Sequence, residues 1–78
     1  MEKVTPFKID DKVTWKWAGG IVKGHVEEVH FAPIEKIIKG SKIKRNGSVE
    51  KPAYLVKSEA GNIALKLHTE LSKSLKNS

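Results

Sequence analysis

The densest charge in the chain lies between Lys36 and Arg45, where Lys36, Lys39, Lys42, Lys44 and Arg45 fall within ten residues that contain no acid. If Ile43 turns inward on a strand, Lys42 and Lys44 share the outer face and Arg45 reaches a hairpin tip, forming a basic finger suited to phosphates. Contact with about four phosphates implies a slope of log affinity against log salt of roughly −3 to −4, hence weak, salt-sensitive association with DNA or RNA. A hairpin that only solubilises the chain accounts for the same residues. All but one of the basic residues are lysine, which lacks the planar fork with which arginine grips phosphate or reads guanine.

A second group is aromatic. In "KVTWKWAGG", Lys12 to Gly20, a strand would set Val13, Trp15 and Trp17 on one side, with Thr14 and Lys16 on the other. Trp15 then reads as the plug of a small core. Trp17, beside the turn Ala18-Gly19-Gly20, sits where the strand emerges and is the better contact residue. Together with Tyr54 and Phe31 it defines an alternative, protein- or peptide-binding patch. The same rings could surround a methylated ammonium through cation–π attraction, but that needs three or four rings and a carboxylate converging at one end. Those rings are also the only large residues available to fill the core.

Catalytic chemistry finds no support. No nucleophile, base and orienting acid stand in a recognisable arrangement. Asp10-Asp11 and Glu27-Glu28 are adjacent pairs whose members point apart, which unsuits them as general acid and base. His25 and His30 could be brought together by a bulge, yet two imidazoles without a third ligand make a poor metal site, and His68 lies on a terminal turn. No catalytic residue, metal ligand or cofactor is therefore expected. "NGS" from Asn46 to Ser48 fits a glycosylation sequon but reads as a turn.

The elements that must position these residues are short strands. Turn signals recur at close intervals, and the segments between them alternate apolar with polar residues. Phe7 and Ile9 lead through Asp10-Asp11 into the strand of Val13, Trp15 and Trp17. In "IVKGHVEEVHF", Val22, Gly24 and Val26 share one parity while Val29 and Phe31 have the other, so a bulge or bend is expected near Glu27-Glu28. Gly24 would allow close packing there. Residues 32–39 read as a loop or irregular strand because of Pro33. Asn46-Gly47 is a strong hairpin signal between a strand at Lys42 to Arg45 and another at Tyr54 to Ser58. "EAGN" turns into a last strand, Ile63 to Leu67, and Thr69 could cap a terminal helical turn with Leu71 as the final apolar anchor.

These pieces total about five strands in a chain of 78 residues without cysteine, too short for more than one small core and dependent on packing rather than disulfides. Closure into an SH3-like barrel removes exposed edges, and an OB-fold is disfavoured because a turn stands where its helix would be. The expected organisation is a single domain with its core at about 7–71 and a frayed tail at 72–78. Lysine and arginine number 15 against 9 acids, a net charge of +6. No apolar run approaches the roughly 20 residues of a membrane span and no signal-peptide block is present. A soluble, cytoplasmic protein without membrane contact is expected.

"DKVTWKW", "GHVEEVH", "IKGSKIKRNGSVEKPAYLVKS" and "GNIALKLHTEL" resemble, in order and spacing, the hypervirulence-associated TUDOR-domain family of small bacterial and fungal proteins. Its most specific part is "RNGS", Arg45 to Ser48, followed by "PAYLV", Pro52 to Val56. Asp10 departs from the glycine that many relatives carry. The resemblance implies an SH3-like, Tudor-type barrel with no known catalytic activity, and it implies no particular ligand; the whole chain then reads as an all-β, five-stranded SH3-like (Tudor-like) barrel acting as a non-enzymatic binding module.

Overall fold

In the computed structural model, which describes residues 5–74, the alternation of "KVTWKW" becomes strand β1, Lys12–Trp17, with Val13 and Trp15 buried. Ala18 and Gly19 both take positive φ, 48° and 81°, so a two-residue turn of the type that matches strand twist returns the chain into β2, Gly20–His30. The pairing sets Val13 against Gly24, Trp15 against Val22 and Trp17 against Gly20. Further along, β2 pairs with β5, Ala53–Ser58, and the register shifts between Val26 and Glu28. The expected bulge is therefore present, with Glu27 as the extra residue, and it lets Val26 and Val29 both pack on the core.

Gly24 lies where β5 crosses closest. A Cβ at this position would overlap the carbonyl oxygen of Lys57 and stand 2.8 Å from the Cα of Ser58. The expectation of close packing there holds for that reason.

Residues 32–39 differ from the expected loop. Pro33–Ile38 is a regular strand, β3, joined to β4, Ser41–Asn46, by a turn at Lys39 and Gly40 with φ of 52° and 80°. This hairpin is a separate two-stranded sheet, and Pro33 is tolerated because it begins an edge strand. The predicted hairpin at Asn46-Gly47 does not form. β5 follows after a loop and pairs with β2 and with β6, Ile63–Leu67, not with β4. Gly47 is needed for a different reason: its missing side chain admits the backbone of Ala53, whose nitrogen would lie 2.9 Å from a Cβ there.

His68–Glu70 forms a 3₁₀ turn. Thr69 does not cap it; Glu70 reaches back to accept a hydrogen bond from the Leu67 N–H at 2.8 Å. The expected fraying at 72 is also corrected, because Ser72–Lys73 forms a short strand, β7, against Thr14 and Val13 of β1. The rest of that tail, 75–78, lies outside the described residues.

The result is an all-β fold with a five-stranded antiparallel sheet in the order β6-β5-β2-β1-β7 and the β3-β4 hairpin packed near β6. Among the described residues there are thus seven strands, where about five were expected. One core gathers Val13, Trp15, Val26, Tyr54, Val56 and Leu71, with Phe7, Val22, Val29 and Ala64 against it. Among the described residues, no helix is long and apolar enough to cross a membrane.

Candidate functional site at the barrel mouth

Two positions along β1 decide how the tryptophans divide. Trp15 faces Val22 across the ladder and is 6% exposed, whereas Trp17 faces the bare backbone of Gly20 and is 66% exposed. With no side chain opposite, the outer ring has nothing to bury it. It stands at the rim of a cleft of about 300 Å³ lined by Trp15, Val22, Ile63 and Ala64, with Lys39 and Lys66 at its polar edge. Three elements meet here: the β1-β2 hairpin end, β6, and the tip of the β3-β4 hairpin. Lys39 is held over the cleft because its ammonium donates to Asn62 Oδ1 at 3.0 Å, while the Asn62 N–H donates to the buried Ser58 Oγ at 3.0 Å.

The other two rings of the predicted patch are elsewhere. Tyr54 is fully buried and cannot be a contact residue. Its hydroxyl accepts from the Phe7 N–H at 3.0 Å and lies 2.9 Å from His68 Nδ1, to which it donates. Phe7 stacks on His68 with ring centroids 4.9 Å apart. Burial holds the Tyr54 hydroxyl above its ordinary pKa of 10.0 and His68 below its ordinary 6.5, in keeping with a neutral imidazole that accepts. This cluster closes the core under Phe7, and only its aromatic members were visible in the sequence. Phe31 is half exposed, but it follows the far end of β2 from Trp17. Strand geometry puts roughly 30 Å of chain path between the two positions. The three rings therefore do not converge.

The basic finger also changes in three dimensions. Lys36 does not share the outer face: it stands opposite Ile43, and its ammonium is 3.1 Å from Glu28 Oε1. Lys42 lies 3.5 Å from Glu35, and Lys44 is opposite Glu35 in the register. Arg45 is not at the tip. It is half buried at the hairpin base, where its Nε donates to the Leu65 carbonyl at 3.2 Å and lies 3.7 Å from Glu70. Lys39 is the residue at the tip. A window that holds no acid along the chain is thus supplied with carboxylates from β2, β3 and the 3₁₀ turn.

His25 and His30 each turn to a neighbouring acid, Glu27 and Glu28, at 2.7 Å. Hydrogen bonds from His30 and then Lys36 hold the Glu28 carboxyl below its ordinary value of 4.5. Among the described residues, no three histidines, cysteines or carboxylates are grouped to hold a metal ion.

A family model described as hypervirulence associated proteins TUDOR domain matches residues 10–71. The chain belongs to this family. The match runs from the turn before β1 to the last core residue, Leu71, and so includes every element that builds the mouth. It makes the fold Tudor-like and the molecule, in general terms, a small binding module. No curated protein and no solved structure matches the chain. Asp10, where many relatives carry glycine, has φ of 73°. The left-handed conformation that glycine adopts freely is here carried by an aspartate, a residue that tolerates it better than most. The Asp11 carboxylate steadies the turn by accepting from the Lys8 N–H at 2.8 Å.

Proposed function

We propose that this Tudor-family domain is a non-enzymatic protein-interaction module that receives an extended polypeptide segment at the mouth around Trp17. One observation carries the reading: a tryptophan two-thirds exposed beside an apolar cleft formed by Val22, Ile63 and Ala64. A large ring left in water next to a concave apolar surface is the usual composition of a contact site, since aromatic anchors supply much of the energy of protein interfaces.

The nucleic-acid reading of the hairpin is weaker in this geometry. Of the five cations of the cluster, Lys36, Lys42 and Arg45 each have a carboxylate within reach, which offsets part of their attraction for phosphate. A single exposed tryptophan also offers little to a strand of bases, which binds by stacking on successive rings.

Selection from a random peptide library tests the reading. Sequences enriched on the native domain are expected to be lost on Trp17→Ala, provided thermal denaturation shows that variant folded. Equal enrichment on both proteins would remove Trp17 from the interface. Failure of any peptide to enrich, together with binding of a single-stranded oligonucleotide at low salt, would favour the nucleic-acid reading instead.

A further inference from the structure

We infer that the segment received at the mouth is acidic, with an apolar side chain entering the cleft and carboxylates meeting Lys39 and Lys66. This rests on the reading of the mouth as the contact surface and adds the chemistry of the partner.

The argument begins with the charges around Trp17. Lys39 and Lys66 line the cleft itself. Lys39, Lys66 and Arg45 line the depression that continues beneath the hairpin, and Lys16 and Lys66 line the one beside β1. Of these, Lys39 and Lys66 face the cleft, Arg45 is shared with Glu70, and Lys16 alternates to the other side of β1 from Trp17. Among the described residues lining these depressions, the one carboxylate is Glu70, and it is engaged by the Leu67 N–H at 2.8 Å and faced by Arg45 at 3.7 Å. Lys39 donates one hydrogen bond to Asn62, and an ammonium carries three N–H groups, so two remain for a ligand.

Such a rim selects by sign. A lysine-rich or methyl-lysine segment would bring its cation against Lys39 and Lys66, with no carboxylate lining the cleft to receive it. Like-charge juxtaposition of this kind is a strong means of exclusion. The mouth is thus the electrostatic inverse of an aromatic cage, which needs several rings and an acid; Tyr54 is buried and Phe31 lies at the other end of β2. The cleft volume, about 300 Å³, is at the lower limit of ligand pockets and suits one or two side chains rather than a folded surface. Its walls of Ile63, Ala64 and Val22 match an aliphatic or aromatic side chain, while Ser58, Asn62 and the two lysines supply its polar lining.

Trp17 emission provides the measurement, with Trp17→Phe as the control that removes it. The probes are a short peptide alternating glutamate with leucine and phenylalanine, its serine and lysine counterparts, a trimethyllysine peptide and a short deoxythymidine strand. The glutamate peptide is expected to shift the emission and to bind most tightly. Its affinity should fall by roughly tenfold in Lys39→Glu/Lys66→Glu, as two partly exposed charge contacts are reversed, and the same variant should gain the lysine peptide. Serine or lysine peptides binding the native domain as tightly would overturn the acidic partner while leaving the mouth as the contact surface. Binding of the deoxythymidine strand alone would overturn it in favour of a nucleic acid. No emission change with any peptide or strand would overturn the mouth itself, and the inference with it.

Discussion

Trp15 and Trp17 are two residues apart and chemically identical, yet their environments predict opposite mutational behaviour. Trp15→Ala removes a core ring and is expected to cost about 3–5 kcal/mol of folding stability. Trp17→Ala removes a ring that is mostly in water, so a change within about 0.5 kcal/mol is expected. Urea denaturation of the two variants checks both; similar losses would contradict the division of roles. His68 makes a second residue-scale prediction. Its imidazole is kept neutral in the fold, so its contribution is fully present above its unfolded pKa near 6.5 and is lost as pH falls below that value. Glu28, held below 4.5 by His30 and Lys36, adds a further loss only at more acid pH. His68→Asn, which retains an acceptor for Tyr54, should flatten the stability curve as pH falls below about 6.5, the ordinary histidine value. An unchanged slope in that variant would assign the acid sensitivity to another group.

At the scale of elements, the meeting of β2 and β5 is the tightest constraint in the fold. Gly24→Ala would force its methyl into the β5 backbone at Lys57 and Ser58, with an expected destabilisation of about 1–3 kcal/mol or more, as for other overpacked sites. The denaturation midpoint should fall while its slope is kept; a neutral effect would mean that the strands separate freely. This constraint was legible in the sequence, as was a bulge or bend near Glu27-Glu28, because the parity switch in "IVKGHVEEVHF" cannot keep both apolar sets inward without a shift of register. The β3-β4 hairpin was not. Its turn uses Lys39 at positive φ, and lysine carries no signal for that conformation, whereas Asn46-Gly47 displays the signal without the turn. The location of the basic finger was misread for that reason. Its neutralisation was illegible on other grounds: Glu28, Glu35 and Glu70 reach Lys36, Lys42 and Arg45 only after the chain has folded.

For the molecule as a whole, the net charge of +6 attracts polyanions without choosing among them. On the reading proposed above, selectivity comes from a place where charge and shape coincide, which the carboxylates beside Lys36, Lys42 and Arg45 make the hairpin less suited to supply than the mouth. At the mouth, Trp17 is exposed, as its place beside the glycine turn suggested, but the residues beside it were not foreseen. Val22, Lys39 and the β6 group Ile63, Ala64 and Lys66 lie far apart along the chain and meet only through the β1-β2 turn, β6 and the hairpin tip. Amide and indole chemical-shift changes on adding the glutamate peptide give the most direct test of this account. The largest changes are expected at the Trp17 indole N–H and at Val22, Lys39 and Ile63 to Lys66. Changes centred instead on Lys42 and Lys44, with the Trp17 indole unmoved, would contradict it.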